Sequence, residues 1–273
     1  MLEPPLLNTR GFWELGRVVR SDEARAQILA ERLTADRWFD VIILCELFAS
    51  HARRTVGEAF ARAGYHLATC TPESRIFASS GLFIASRHRI VERSFAPFLA
   101  ASGSDRLARK GILHVKLATA YGPLDVFATH LQASPGAAAV RRKQLVQARA
   151  FIDARTDARG VHPALVGGDL NVIGELTPGP TEEYRAMRDI FRGYADAHQL
   201  LTGGQPLPTW NPLENAQMIG AGHADLERLD YLLLRDDHAE RALARDASVE
   251  VLRFEHEGLS LSDHYALSFE LPL

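Results

Sequence analysis

The chain has 273 residues, 47% of them hydrophobic and 24% charged, a balance that fits a packed globular protein and excludes disordered and fibrous classes. No run approaches the ~18 consecutive apolar residues of a membrane span, so none is expected. The net charge of −3 disfavours binding along a nucleic-acid duplex, which takes a clustered excess of Lys and Arg. Cys45 and Cys70 are too few for a disulfide framework, and Cys45 lies in an apolar run that suits a buried thiol. The first residues show no basic stretch leading into an apolar segment and cleavage site. The expected location is therefore the cytoplasm, or outside the cell for a form whose leader has been trimmed. Nothing calls for an obligate protein partner.

Taken in chain order, a helix is expected from Asp22 and Glu23, whose charges suit a helix N-terminus, with Ala24, Ile28, Leu29 and Leu33 along one face. A strand follows at Val41 to Cys45. Val56, Phe60 and Ala63 repeat the helical spacing, with Gly64 as a C-terminal cap. Strands are predicted at Ser80 to Ala85, Ile112 to Thr119 and Leu124 to Ala128. The longest helix, Ala137 to Ala154, turns Leu145, Ala148 and Ile152 inward and Arg141, Arg142 and Lys143 toward solvent. Further strands are expected at Ala164 to Val166, Arg228 to Leu234 and Ala266 to Leu271. Pro and Gly place loops at Thr177 to Pro180 and Gly203 to Pro212, and Asn211 to Asp225 has the weakest pattern. Strands alternating with helices, with no low-complexity linker and no repeat, indicate one layered α/β (α+β) domain over residues 1–273.

Polar residues stand at the ends of the apolar runs: Asn8 after LL, Glu46 after VIILC, His130 after DVFAT, Asp169 and Asn171 in LVGGDLN, Asp230 in RLDYLLL, and Asp263 with His264 in LSDH. A single carboxylate at a strand end is usually a cap or turn former. Several brought together repel one another unless a positive charge sits among them, and a divalent cation is the simplest remedy. Oxygen donors without a Cys or His cluster at zinc spacing select a hard ion such as magnesium, manganese or calcium, of which magnesium is the one expected. His264, with Asp230 to orient its ring, makes a water-activating base, and His130 can serve the departing oxygen.

In this order the motifs resemble the metal-dependent endonuclease, exonuclease and phosphatase superfamily. They are LN at Leu7–Asn8, DVIILCE ending in Glu46, TH at His130, GDLN at Asp169–Asn171, RLDY at Asp230 and SDH at His264. The resemblance implies a four-layered α/β/β/α sandwich of two packed mixed β-sheets flanked by helices, with phosphoester hydrolysis at the loop edge. LNTRGF, ILCELFASHARRTV, SGLFIASRHRI, SDRLARKG and THLQAS with VRRKQL are similar to the neutral sphingomyelinase branch. Arg10 and the His88–Arg89 pair depart from that branch, and Met218–Ile219 is the one apolar pair in the long late loop.

The resemblance assigns Glu46, with Asn8 nearby and Asp263 as a further ligand, to the metal. It assigns His264 and Asp230 to the base, Asp169 to positioning the nucleophilic water or a metal-bound water, and Asn171 and His130 to the phosphate oxygens. Asp105 and Lys110 become a substrate-side switch pair, and Arg141 and Gln144 begin the helix after the histidine loop, with Arg141 on the substrate side. The implied substrate is a phosphodiester, sphingomyelin or a related phospholipid at a membrane surface, cleaved to lipid and phosphocholine. The alternatives are a nuclease or abasic-site endonuclease on the same scaffold, and a non-catalytic binding protein. An inositol-phosphate phosphatase is a further possibility, but ERLDYLL lacks its expected motif.

Overall fold

The computed structural model describes residues 22–35, 39–70, 79–157, 160–176, 179–215, 217, 225–243 and 246–271. Ala26, Ala30 and Leu33 bury one side of α1 (Asp22–Ala35) at helical spacing. The β-branched run VIIL forms β1 (Val41–Leu44), and Ala52, Val56, Ala59 and Phe60 bury one face of α2 (Ser50–Arg62). Strands β2 (His66–Thr69) and β3 (Phe83–Ser86) pair with each other, and β3 pairs with β1, giving an antiparallel sheet in the order β1-β3-β2. The strand expected from Ser80 begins three residues later, because Ser79 and Ser80 turn their hydroxyls onto the N–H groups of Gly81 and Leu82.

A long antiparallel meander follows, β4 (Arg89–Pro97), β5 (Gly111–Thr119) and β6 (Gly122–His130). Helix α3 (Ala138–Asp153) carries the chain over to β7 (Ala164–Asp169), which is parallel to β6, the expected outcome of a helical crossover. A two-residue pair, β8 (Glu175–Leu176) and β9 (Gly179–Pro180), leads to α4 (Glu182–Ile190), which is capped by the Thr181 hydroxyl. After β10 (Tyr194–Asp196), α5 (Ala197–Thr202), β11 (Asp230–Arg235) and α6 (Asp236–Leu243), the chain ends in β12 (Ser248–Leu252), the short pair β13 (Glu255–His256) and β14 (Leu259–Ser260), and β15 (Ala266–Glu270). The six-stranded sheet runs β10-β11-β7-β6-β5-β4, and β12 pairs antiparallel with β15.

Three apolar clusters show the layering. Ala30, Phe60 and Phe83 join the first two helices to the three-stranded sheet. Ile84, Leu113, Val126 and Leu165 fill the space between sheets, with Ile43 and Leu271 packed against them. Phe127, Leu145, Ile152 and Met187 join the six-stranded sheet to α3 and α4. The order is therefore helices, sheet, sheet, helices, as the resemblance implies. The mixed sheet is the six-stranded one; the described strands of the opposing layer are antiparallel and form two separate groups. No helix among the described residues is long and apolar enough to cross a membrane.

The paired glycines before Asp169 have a packing reason. A Cβ on Gly168, whose φ is +131°, would lie 2.0 Å from the Thr129 carbonyl oxygen, and one on Gly167 would lie 2.8 Å from Ile43 Cδ1. Without side chains, β7 lies close against β6, so its last residue reaches the site.

Candidate active site

Three neighbouring strands deliver three polar residues in one row. His130 ends β6 and pairs in register with Asp169 at the end of β7, and Asp169 pairs with Asp230 at the start of β11. Residues opposite one another on adjacent strands project to the same face, so the row is fixed by the sheet itself. Glu46 follows β1 with φ +60°, and Asn171 follows β7 with φ +50°. A left-handed backbone at non-glycine residues is strained, and here both instances aim a polar side chain at the same cleft. Glu46, His130, Asp169, Asn171, Asp230, Asp263 and His264 all line that cleft.

His264 Nδ1 lies 2.8 Å from Asp230 Oδ2. Trp210 packs edge-on against the His264 ring at 5.1 Å, and its backbone bridges to the same residue. Burial disfavours a charge on this ring, but Asp230, through charge and hydrogen bond, together with Asp169 and Asp263, outweighs it. The pKa of His264 stands well above the ordinary value.

Asp169 accepts from the Asn171 backbone N–H at 2.8 Å and from its side-chain amide at 2.9 Å. Burial, with repulsion from Asp230, raises its carboxyl to about 7 against the pull of His264. Glu46 is raised as well, by desolvation in the cleft and by repulsion from Asp263, with Lys110 and His264 opposing. Its Oε1 lies 3.8 Å from His130 Nε2. Burial and Asp169 drive the Cys45 thiol far up, so it is no nucleophile at neutral pH.

Lys110 spends its three N–H donors within the protein: Asp105 Oδ2 at 2.7 Å, the Leu131 carbonyl at 2.9 Å and His130 Nε2 at 3.0 Å. His130 therefore accepts at Nε2. Its pKa is pushed well below the ordinary value by burial and by the Lys110 charge, which keeps the ring neutral. Asp105 also accepts from the Ala133 N–H at 3.1 Å, tying the segment before β5 to the histidine loop.

Arg141 differs from the sequence-based expectation. It is buried at 2% exposure, not turned to solvent. Nε and Nη2 form a fork onto the Glu183 carboxylate at 2.6 and 2.8 Å, while Nη1 reaches the Gln132 and Ser134 carbonyls at 3.1 and 2.7 Å. Its guanidinium braces the histidine loop against α4. Gln144, one turn along α3, accepts from the Gln132 N–H at 2.8 Å. Asn8 and Arg10 lie outside the described residues, as do Met218 and Ile219.

The expected loop from Gly203 to Pro212 supports the site in a way no periodicity announces. Thr209 Oγ1 accepts from the Leu229 and Asp230 N–H groups at 3.1 and 3.3 Å, and the Thr209 carbonyl accepts from Tyr265 at 2.7 Å. Asn215 donates to the Ser262 and Asp263 carbonyls at 2.9 and 3.0 Å. The only sequence signal for Thr209 is a Thr-Trp-Asn group held between two prolines, and Asn215 lies beyond it with none.

Among the described residues, no three carboxylate, imidazole or thiol groups by themselves surround a point suited to a cation. The donor chemistry nonetheless fits magnesium, which retains several waters and is commonly held through one or two carboxylates. Glu46 and Asp169 are both displaced in the direction that a neighbouring positive charge would relieve.

Residues 6–264 match the model of the endonuclease/exonuclease/phosphatase family. The chain belongs to that family. Among curated proteins it is 30% identical to a sphingomyelinase C of Listeria ivanovii over 166 residues, 58% of this chain and 47% of that protein. It is 33% identical to sphingomyelin phosphodiesterase 5 of Danio rerio over 302 aligned residues, 86% of this chain and 53% of that protein. The chain thus spans about half the length of these relatives.

In fold it is similar to a Staphylococcus aureus beta toxin variant with bound magnesium ions, with a TM-score of 0.75, 20% identity, and coverage of 96% of this chain and 95% of that one. It is also similar to D. rerio TDP2 complexed with a single-strand DNA product, with a TM-score of 0.69, 18% identity, and coverage of 95% and 94%.

Proposed function

We propose that this chain is a divalent-metal-dependent phosphodiesterase that hydrolyses a phosphocholine lipid, sphingomyelin foremost, to lipid and phosphocholine. The observation that carries the reading is the Asp230–His264 pair at 2.8 Å, set in register beside Asp169 and opening onto the cleft that Glu46 borders. A base held by its own orienting carboxylate, with no Ser or Cys hydrogen-bonded to its ring among the described residues, suits attack by water. The names of the two curated relatives favour a sphingomyelin substrate.

Magnesium, held by Glu46 with Asp263 and Asn8 as further candidates, would polarise the phosphate and offset the negative charge of the carboxylates. Asp230 holds the His264 ring through Nδ1, and the surrounding carboxylates keep Nε2 protonated as well. With the Asp169 and Asp263 charges offset by a divalent ion bound among them, that pKa would fall and Nε2 would be free to take a proton from water. Asp169, steadied by two donors from Asn171, positions that water. The Asn171 amide would face the region where phosphate charge grows, and His130, whose Nε2 accepts from Lys110, would donate to those oxygens only after Lys110 leaves it and the ring takes a proton. Lys110 does not itself line the cleft and spends its three donors within the protein, so it would supply a charged contact to the same oxygens only on leaving His130.

The test is release of phosphocholine from sphingomyelin in detergent mixed micelles, run beside an abasic duplex, with magnesium and with chelator. Magnesium-dependent turnover of the lipid with the duplex left intact is expected. Cleavage of the duplex and not of the lipid would move the chain to the nuclease reading.

A further inference from the structure

We infer that the strap from Phe98 to Leu107, with the exposed face of α3 beside it, is the surface that docks on a phospholipid bilayer; this rests on the lipid reading above. Leu99 is 92% exposed, Val146 53% and Leu107 49%, and each is a branched aliphatic side chain left in water. They belong to one framework. The Leu99 N–H donates to Gln147 Oε1 at 3.0 Å, Gln147 Nε2 returns to the Pro97 carbonyl at 2.8 Å, and Gln144 Nε2 donates to the Ala100 carbonyl at 2.8 Å. The strap therefore lies along α3 beside Val146, and Arg106 Nε folds back onto the Ala101 carbonyl at 3.3 Å.

The chemistry of the rim selects the partner. Arg106, Arg142 and Lys143 are all exposed, and residues 142 and 143 precede Val146 by four and three positions on the helix, so they border it on the side of the preceding turn. Exposed apolar side chains flanked by cations match a membrane interface, where leucines enter the acyl boundary and basic heads stay at the phosphates. The local positive charge is set against a net charge of −3 for the whole chain.

The patch also touches the site. Asp105, within the strap, holds Lys110 at 2.7 Å, and Gln144 bonds both the strap and Gln132, two residues beyond His130. Seating the strap on a bilayer would bring the mouth of the cleft to the headgroup layer.

The experiment uses the full chain in chelator, so that no turnover occurs, and measures cosedimentation with vesicles of phosphatidylcholine, with and without phosphatidylglycerol. Wild type should bind, and bind more with the anionic lipid. The Leu99→Asp/Leu107→Asp protein, its folding checked by thermal melting, should lose on the order of tenfold in partitioning or more, given the cost of placing charge where apolar surface would be buried. It should keep wild-type turnover of a water-soluble bis-nitrophenyl phosphodiester. Arg142→Glu/Lys143→Glu should abolish the preference for anionic vesicles. Wild-type binding by the leucine variant, or failure of wild type to bind either vesicle, overturns the inference. Absence of turnover on every phosphodiester would instead sink the catalytic reading and leave the binding result standing.

Discussion

His264 and Asp230 are bonded at 2.8 Å across 34 residues of sequence, and the register that pairs Asp230 with Asp169 fixes where the imidazole sits. Because the carboxylate occupies Nδ1, Nε2 is the nitrogen that exchanges a proton with water, once the raised pKa of the ring has been brought down by a cation among the neighbouring carboxylates. His264→Ala should lower turnover by roughly a hundredfold to ten-thousandfold, the range of a lost general base, with little change in the magnesium concentration that half-activates the enzyme. Asp230→Asn should also lower turnover, because an amide can present its N–H to the ring and favour the wrong tautomer. Steady-state kinetics on a chromogenic phosphodiester measures both, and wild-type turnover in His264→Ala would remove the base from the scheme.

Glu46 projects from a left-handed backbone position into the cleft, and no ion pair with Lys or Arg holds its carboxylate among the described residues. Glu46→Gln keeps the shape and removes the charge. The expected result is a shift of the magnesium activation curve to higher concentration by tenfold or more, with part of the turnover recovered at saturating metal. An unchanged magnesium titration would exclude Glu46 as a ligand.

Most of this site can be read from the sequence because each residue stands at or near the end of an apolar run, and an apolar run bounded by a carboxylate or imidazole is visible without knowing the fold. The strands that escape such a reading are those where the pattern is obscured. The sequence of β4 is RIVERSFAP at the sheet edge, so its outward positions are charged and its alternation is broken, and β10 is three residues long. The start of α4 carries a Thr-Glu-Glu capping signal that apolar periodicity alone does not reveal. Partnerships across the fold leave no local trace, because Lys110 meets His130, and Thr209 meets Asp230, only once the sheet has formed.

Arg141 shows the same limit. Beside Arg142 and Lys143 it reads as part of a charged outer face, yet Glu183, 42 residues away, draws it inward. Removing a buried partner strands the other charge, so Arg141→Met should cost about 3–5 kcal/mol of stability. The KM for a small soluble phosphodiester should stay within about twofold of wild type, since the guanidinium is engaged by protein groups. Thermal melting and initial rates separate this bracing role from a substrate contact, for which KM would rise sharply while the melting temperature held.

The Asp105–Lys110 pair is buried on both sides, with side-chain exposures of 10% and 4%. Lys110→Met should destabilise by about 3–5 kcal/mol by leaving Asp105 charged and alone. Adding Asp105→Asn should recover most of that stability, because no bare charge remains. Turnover should not return in the double variant if Lys110 contacts phosphate. Recovery of both stability and turnover in the pair would show that the lysine serves folding only.

Asp169 ties the chemistry to the pH dependence of stability. Its carboxyl titrates at about 7 in the folded chain, raised first by burial, against an ordinary value near 3.8. A raised acid pKa means that the folded state keeps a proton the unfolded chain has already released. Stability in chelator should therefore fall as pH rises from about 4 to about 7. Each tenfold difference in proton affinity between the two states is worth ~1.4 kcal/mol, so the loss is on the order of a few kcal/mol. The raised pKa of His264 acts in the same direction at higher pH: its stabilising charge is fully present below about 6.5 and lost as pH climbs through the folded value. Asp169→Asn cannot ionise, so in chelator it should lose the slope between pH 4 and 7 and be more stable than wild type at pH 8, while turnover collapses. Denaturant midpoints across that pH range measure the slope. A wild-type slope in Asp169→Asn would mean that the destabilising carboxylate lies elsewhere in the cleft, with Glu46 next to be substituted.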